Sequence, residues 1–294
     1  MNKLKLKKQL QEFLLEDLGE GDITSGLLFP ENEMTEARLI AKKPGVFSGM
    51  DVVIEGYRLL SENCTVFPKV NDGDIISAGQ VLAEVKGPAE AIYSGERVIL
   101  NLVQRMSGIS TLTHKAVTAL NNPTTKICDT RKTTPGLRMF EKYAVRCGGG
   151  YNHRFGLYDG VMIKDNHIER AGGISEAVRK VKEQLGHMVK VEVETETLDQ
   201  IKEAVDAGVD VIMFDNRTPD EIESWKGFIP HHIITEASGG ISLEELGSYG
   251  KTGVNYISLG MLTHSATSLD ISLNITGGVK DELTGSLQAE IQHS

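Results

Sequence analysis

Residues 189 to 215 read VKVEVETETLDQIKEAVDAGVDVIMFD and contain two apolar runs of strand length around an amphipathic stretch. The runs are VKVEVE and VDVIMFD, and the stretch TLDQIKEAVDAG between them spaces its apolar residues as one face of a helix does. A helix between two buried strands is the usual connection of neighbouring parallel strands. The segment therefore predicts one strand–helix–strand unit of a parallel sheet.

The same alternation continues on both sides of this unit. Four further apolar runs are TKICD at 125–129, GVMIKD at 160–165, HIITEAS at 232–238 and NYISLG at 255–260. Amphipathic stretches separate most of them, whereas the gap at 130–159 is rich in glycine and is interpreted as a loop. We predict an α/β fold with a reduced barrel of six or seven strands, and a doubly wound open sheet is the alternative.

The residues before the predicted barrel show a different sequence pattern. Residues 20 to 90 contain short β-like runs, such as GQVLAEVKG, between turn signals. Residues 94–120 predict one long helix or a broken pair of helices capped by Ser94. The opening MNKLKLKKQLQEFLLEDL predicts an amphipathic helix and not a signal peptide, because it has no uninterrupted apolar core.

The composition argues against several classes of function. No apolar run approaches the roughly 20 residues that a membrane span needs, so no membrane association is expected. The three cysteines, Cys64, Cys128 and Cys147, are odd in number and widely spaced, which argues against a disulfide framework and predicts a cytoplasmic location.

A net charge of −10 disfavours nucleic-acid binding. Residues 126–170 nevertheless hold nine Lys and Arg against five Asp and Glu, which indicates a small anionic ligand.

Polar, charged and glycine residues follow the ends of the predicted barrel strands. In a parallel barrel these ends meet at one mouth, where active sites lie. Each such residue alone is commonly an ordinary loop residue, but together they predict a site for a ligand with several negative charges, and with hydroxyl groups or a metal. They are Thr130, Arg131, Lys132, Lys164, Glu194, Asp215, Ser238, Gly239, Gly240 and Gly260.

The residues alone leave more than one chemistry open at this mouth. Glu194 and Asp215 offer oxygen ligands that suit either Mg²⁺ or ribose hydroxyls. Lys164 alternatively suits a Schiff-base lysine of an aldolase-type barrel.

Two local patterns refine the site. Ser242 and Glu245 form a capping box, which predicts a helix start just after Gly239 and Gly240, where backbone N–H groups bind phosphate. His153 has no Cys or His partner at a metal-ligand spacing, so we do not expect it to ligate a metal.

Several longer stretches carry a specific resemblance. They are LEDLGEGDITS at 15–25, CDTRKTTPGLR at 128–138, KYAVRCGGGYNHRFGLYDGVMIKDNH at 142–167, EASGGI at 236–241 and GVNYISLG at 253–260. With them the chain resembles the quinolinate phosphoribosyltransferase family almost from end to end. The resemblance implies an N-terminal α/β sandwich domain at 1–111 and the α/β barrel at 112–268. It also implies a C-terminal segment at 269–294 that returns to the N-terminal domain and ends in a polar tail.

The resemblance also implies an activity. The family is a pentosyltransferase family that moves the phosphoribosyl group of phosphoribosyl pyrophosphate onto quinolinate with Mg²⁺. Decarboxylation then gives nicotinate mononucleotide, pyrophosphate and CO₂ in de novo NAD biosynthesis. The implied assembly is a homodimer with shared active sites, or a higher oligomer.

The resemblance assigns roles residue by residue. Arg131, His153, Arg154 and Lys164 are implied contacts of quinolinate. Lys132, Glu194 and Asp215 are the implied catalytic residues around the ribose and pyrophosphate, with Glu194 and Asp215 holding Mg²⁺ directly or through water. The implied 5′-phosphate and remaining substrate contacts are Thr130, Ser238, Gly239, Gly240, Leu259 and Gly260. Arg105 is implied to reach the active site of the neighbouring subunit.

Two other classes of function remain open at this stage. One is a paralogue on the same scaffold, such as a molybdenum-transport accessory protein, against which the arginines and the His153–Arg154 pair argue. The other is a non-enzymatic anion-binding protein, which would bind substrate tightly without turnover.

Overall fold

The computed structural model describes residues 1–30 and 33–277, and the chain divides into two compact units. The first unit comprises Met1–Arg105 and the segment that begins at Leu269, and the second is Met106–Ser268. The polar tail predicted after Gly277 lies outside the described residues.

The described residues form eleven helices and twelve strands. The helices are α1 (Lys3–Leu18), α2 (Ile23–Leu28), α3 (Met50–Leu60), α4 (Ala89–Leu120), α5 (Arg138–Cys147), α6 (Asp165–Ala171), α7 (Ile174–Lys182), α8 (Leu198–Asp206), α9 (Pro219–Lys226), α10 (Leu246–Lys251) and α11 (Met261–His264). The strands are β1 (Met34–Ala41), β2 (Gly45–Val46), β3 (Thr65–Pro68), β4 (Ile75–Ile76), β5 (Val81–Pro88), β6 (Lys126–Cys128), β7 (Val161–Ile163), β8 (Val191–Thr195), β9 (Val211–Asp215), β10 (Ile234–Ser238), β11 (Tyr256–Ser258) and β12 (Ile271–Gly277).

The first unit is built on a four-stranded sheet in the order β12-β1-β5-β3, in which neighbouring strands are antiparallel. Buried and more exposed side chains alternate along β1, as expected for a strand with one face on the core. The predicted amphipathic helix is present as α1, which buries Leu6, Leu10 and Leu14 and packs against α3. Asn2 caps α1, because its side chain accepts a hydrogen bond from the amide of Lys5.

The long helix predicted before the barrel is the single 32-residue helix α4, not a broken pair. The prediction that Ser94 caps it was wrong, because α4 begins at Ala89, directly after β5 ends at Pro88. Ser94 lies inside the helix, and its hydroxyl donates to Asp22 Oδ2 at 3.0 Å. Across the described chain, no helix combines the length and the apolar character that crossing a membrane requires.

The second unit contains a parallel sheet in the order β6-β11-β10-β9-β8-β7. From β7 to β11, strands that follow one another in the chain are neighbours, and the first strand, β6, lies beside the last, β11. This cyclic order confirms the reduced α/β barrel and rules out the doubly wound open sheet. On its other edge β6 makes an isolated parallel bridge between Cys128 and Tyr151, which partly fills the position between β6 and β7.

One element of the barrel was missed. The gap at 130–159, interpreted as a loop, contains the ten-residue helix α5. Its buried face carries Met139, Phe140, Ala144 and Val145, but also the charged Lys142. A buried lysine interrupts the apolar stripe by which an amphipathic helix is identified from sequence.

Candidate active site

A cavity of about 840 Å³ opens at the carboxyl ends of the barrel strands. Each strand brings one or more predicted residues to it because all six strands run in the same direction. The predicted residues of the second unit that line it are Thr130, Arg131, Lys132, His153, Arg154, Lys164, Glu194, Asp215, Ser238, Gly239, Gly240, Leu259 and Gly260. The remaining predicted residue, Arg105, is the last residue of the first segment of the first unit, Met1–Arg105. The roles of all these residues stay predictions.

At two positions in the glycine-containing wall of the cavity, an added Cβ would lie closer to a neighbouring atom than ordinary contact allows. Gly239 has a φ of +99°, and a Cβ there would lie 2.2 Å from Asn216 Oδ1 and 2.8 Å from its backbone nitrogen. A Cβ at Gly260 would lie 2.9 Å from Cδ of Lys132. The backbone after β10 is therefore pressed against the loop after β9, where the Asn216 amide donates to Ser238 O at 2.9 Å.

The capping box predicted at Ser242 forms, but the helix start was predicted too early. The amide of Ser242 donates to Glu245 Oε2 at 3.0 Å, and the Ser242 hydroxyl donates to the same oxygen at 2.8 Å. Residues 243–245 form a turn, and α10 begins only at Leu246. No helix N-terminus therefore directly follows the glycine pair.

Two arginines give one side of the cavity its positive charge. Burial, and then the neighbouring Arg131, lower the pKa of the Arg154 guanidinium from its usual value. One nitrogen of Arg154 donates to Gly160 O at 2.8 Å. Arg131 Nε is buried and has no hydrogen-bond partner within the described chain. An unmet donor next to a second guanidinium favours a ligand that brings more than one anionic oxygen.

Two acids lie at the carboxyl ends of β8 and β9. Lys164 Nζ donates to Glu194 Oε1 at 2.6 Å, and Asn216 Nδ2 donates to Asp215 Oδ2 at 2.9 Å. Burial raises the pKa of Glu194 against the effect of Lys164, and the negative charge of Asp215 raises it further. Two carboxylates that repel each other at the mouth are a donor set that suits a hard cation or sugar hydroxyls.

His153, which lines the cavity, belongs to a cluster of three titratable side chains. His153 Nε2 lies 3.1 Å from Glu192 Oε2 and 3.6 Å from Glu236 Oε1. Their ligand atoms are close enough together to hold a metal ion. However, the amide of Arg154 donates to His153 Nδ1 at 2.8 Å, so the neutral ring carries its proton on Nε2 and donates it to Glu192. This hydrogen bond is sufficient to account for the short distance between His153 and Glu192. The expectation that His153 does not ligate a metal stays a prediction.

The protonation of this cluster is perturbed. Desolvation alone would lower the pKa of His153, but Glu192 and Glu236 outweigh it and raise that pKa. The hydrogen bond from the Arg154 amide opposes this shift, because a second proton on His153 Nδ1 would face an N–H donor. Burial, and then Glu192, raise the pKa of Glu236 to about 7.

Glu236→Gln is expected to stabilise the protein at alkaline pH. Because the pKa of Glu236 is raised on folding, the folded state holds an extra proton between about pH 4.5 and 7, and stability falls as the pH rises through this window. Glutamine does not titrate, so this pH dependence is absent in the variant. Its free energy of unfolding should exceed that of the wild type by up to about 3 kcal/mol at pH 8.5 and by little at pH 5. Urea unfolding at both pH values, with the exposed Glu244→Gln as control, measures this. A variant less stable than the wild type at pH 8.5 would contradict the assignment.

Sequence reasoning missed several residues of this site. Glu192 and Glu236 each lie two positions before a predicted site residue in a strand, so the period of two already placed them on the same inner face of the barrel. Asn216, with a φ of +53°, and His264 were missed as well, and both line the cavity. His264 is carried by the short helix α11, which no sequence pattern indicated.

An α/β barrel whose mouth brings together cations, two acids and a tight glycine wall is typical of enzymes that act on phosphorylated, anionic small molecules. Family models for the quinolinate phosphoribosyl transferase C-terminal and N-terminal domains match residues 109–274 and 22–107. The chain belongs to the quinolinate phosphoribosyltransferase family.

Individual relatives agree with this assignment. The chain is 58% identical over 276 residues to a probable nicotinate-nucleotide pyrophosphorylase (carboxylating) of Bacillus subtilis, covering 94% of this chain and 95% of that protein. It is 41% identical over 289 residues to quinolinate phosphoribosyltransferase (decarboxylating) 1b of Nicotiana tabacum, covering 92% and 82%. The crystal structure of NadC from Streptococcus pyogenes superposes with a TM-score of 0.91 at 38% identity, covering 94% of this chain and 98% of that one.

Proposed function

We infer that the chain transfers the phosphoribosyl group of phosphoribosyl pyrophosphate to quinolinate with decarboxylation. The products are nicotinate mononucleotide, pyrophosphate and CO₂, as in de novo NAD biosynthesis. The observation that carries this inference is the pairing of Arg131 and Arg154 in the cavity of a chain that belongs to this family. Quinolinate has two adjacent carboxylates, and a guanidinium binds a carboxylate through two parallel hydrogen bonds.

The two ends of the cavity receive different substrates in this proposal. Arg131, Arg154, His153 and Lys164 bind quinolinate, with the buried Nε of Arg131 supplying one donor. The 5′-phosphate of the second substrate lies against the glycine wall, where a peptide backbone without side chains comes close to an anion. The proposed contacts there are Ser238, Gly239, Gly240, Leu259 and Gly260, and Thr130 contacts substrate between the two ends.

Mg²⁺ is the proposed cofactor, and Glu194 and Asp215 are its proposed holders, directly or through water. Their carboxylates fit a hard cation, and such ions are commonly held by one or two carboxylates together with substrate phosphates. When bound, the ion supplies positive charge that neutralises the pyrophosphate.

The side chains of this chain then have the following roles. Lys132 stabilises the negative charge that grows on pyrophosphate as the C1–O bond of the ribose breaks. Glu194 and Asp215 hold the ribose hydroxyls or the metal ion, and their negative charge favours the positive charge of the sugar in the transition state. The pyridine nitrogen bonds to C1 and becomes positively charged. The bond between C2 and its carboxylate then breaks and CO₂ leaves, while the electron pair left on C2 is stabilised by the adjacent cationic nitrogen. C2 then takes up a proton from water, which gives nicotinate mononucleotide.

We further propose a homodimer, or a higher oligomer built from it, in which Arg105 completes the site of the neighbouring subunit. Support comes from the family and from the position of Arg105, which belongs to the first unit, at the end of its segment Met1–Arg105, and not to the unit that contains the barrel. The proposed location is the cytoplasm. All three cysteines lie in the described part of the chain and none forms a disulfide, as is usual in a reducing compartment.

The direct test is to mix the protein with quinolinate, phosphoribosyl pyrophosphate and Mg²⁺ and to measure CO₂ and pyrophosphate. Equal amounts of both products support the proposal. Tight binding of quinolinate without products would favour an anion-binding protein. Trapping of a keto substrate on Lys164 by borohydride would favour the aldolase alternative, although the ion pair of this lysine with Glu194 suits charge binding better than a neutral nucleophile.

Nicotinic acid is expected to be a poor acceptor. It lacks the 2-carboxylate, so its binding leaves part of the cationic wall without an anionic partner. We expect kcat/KM for nicotinic acid to be lower than for quinolinate by about two orders of magnitude or more. Initial rates with both acceptors at saturating phosphoribosyl pyrophosphate measure this, and comparable values would contradict the assigned role of the arginines.

A further inference from the structure

Asp129 is a fully buried acid directly after β6, and the catalytic proposal gives it no role. Its carboxylate accepts three hydrogen bonds, from Lys142 Nζ at 2.5 Å, from Asn152 Nδ2 at 2.6 Å and from the amide of His153 at 2.8 Å. The donors come from helix α5 and from the loop that follows it. One carboxylate therefore connects the end of β6 to both later segments.

Lys142 completes this arrangement from the other side. Its ammonium group is fully buried and donates to the carbonyl oxygen of His153 at 3.0 Å. The same nitrogen lies 5.2 Å from the ring centre of Phe155, so it also contacts the next part of the loop. The N–H and the C=O of His153 are thus each bound by one member of the same buried ion pair.

Burying this ion pair costs free energy, so it is a poor source of stability for the fold. Burial raises the pKa of Asp129 and lowers the pKa of Lys142, even though each partner counteracts the shift of the other. Both shifts mean that burial penalises the charged forms. Replacing such a pair by apolar side chains often leaves a protein equally stable or makes it more stable. The pair is therefore better explained by the geometry that it imposes.

The positions that the ion pair fixes are those of two guanidinium groups, on Arg131 and Arg154, which repel each other. Arg154 directly follows His153, and Arg131 follows Asp129 by two positions. Both line the cavity, and the charge of Arg131 disfavours the charge of Arg154. Without a ligand their loops would move apart unless something rigid held them, and a fixed geometry lowers the cost of binding.

We propose that Asp129 and Lys142 are positioning residues, which hold the His153 peptide from both sides and so keep Arg154 and Arg131 at the spacing that two adjacent carboxylates require. The inference rests on the proposed function, because it explains how the dicarboxylate end of the cavity is fixed before substrate arrives. The glycine wall that receives the phosphate contains neither residue and should not depend on them.

The test replaces both charged side chains in one double variant, Asp129→Leu/Lys142→Met, so that no unpaired charge is left buried. We expect a melting temperature close to that of the wild type and a rise in the KM for quinolinate of about tenfold to a hundredfold. The KM for phosphoribosyl pyrophosphate should stay within about twofold. Lys226→Met is the matched control, because Lys226 Nζ also donates to backbone carbonyls, those of Thr252 and Gly253, but lies outside the cavity lining. Unchanged KM values for both substrates in the double variant would overturn the proposal.

If the double variant does not fold, Asn152→Ala decides the question. This change removes one hydrogen bond to Asp129 and one to the carbonyl of Lys142 without altering a charge. A rise in the KM for quinolinate alone supports the proposal, and an unchanged value overturns it. Phthalate is a benzene ring with two adjacent carboxylates, and calorimetry of its binding tests the positioning independently of the proposed reaction. If the wild type binds phthalate but releases no CO₂ from quinolinate, the proposed function is refuted. The affinities of the variants for phthalate then still test whether Asp129 and Lys142 position the arginines.

Discussion

Homodimers of Arg105→Ala and of Lys132→Ala are each expected to be nearly inactive, and mixing them is expected to restore activity. If Arg105 acts in the neighbouring subunit, a mixed dimer has one site with both Lys132 and Arg105 intact and one site that lacks both. With random pairing, half of the dimers are mixed and one of their two sites works, so roughly a quarter of all sites recover. Initial rates before and after subunit exchange measure this.

The control for this experiment mixes Lys132→Ala with Glu194→Ala. Both residues line the same cavity, so every site in a mixed dimer lacks one of them and no activity should return. Exchange in both mixtures is verified by native mass spectrometry. Activity that stays at the level of the parents despite complete exchange would show that Arg105 acts in its own subunit.

Gly239→Ala is expected to lower kcat/KM by about a hundredfold, mainly through a higher KM for phosphoribosyl pyrophosphate. The new Cβ would meet the backbone nitrogen of Asn216, which cannot move away as the end of a flexible side chain can. The φ of +99° adds strain for any residue with a Cβ. The loop after β10 must therefore shift, and the proposed phosphate contacts shift with it.

Gly240→Ala provides the matched control. Its φ is +62°, but a Cβ there meets nothing within 4 Å, so the cost is limited to roughly 1–2 kcal/mol of backbone strain. Adding Asn216→Gly to Gly239→Ala removes the side-chain overlap and should recover part of the activity. Equal losses in the two alanine variants would show that close contact with Asn216 does not shape the wall.

The parts of this molecule that follow from periodicity were predictable, and the parts that depend on long-range packing were not. The apolar runs located the six barrel strands, and their carboxyl ends located the residues that line the cavity. In contrast, α5 was missed because its buried face includes Lys142, whose partner Asp129 is supplied by a distant strand end. Glu192 and Glu236 were overlooked although they share the inner face with Glu194 and Ser238, since acids are rarely expected inside a barrel.

The last described strand, β12, bears on how the chain folds as it is synthesised. β12 lies at the edge of the first sheet and pairs with β1, so Ala41 pairs with Ile271 although the two residues are 230 positions apart in the sequence. The ribosome therefore releases all barrel strands before the first sheet can gain this edge. We expect the barrel to fold while β1 still exposes an unpaired edge, which is a target for chaperones or for aggregation. A nascent chain stalled before Leu269 should accordingly be more sensitive to protease in residues 34–41 than the complete protein.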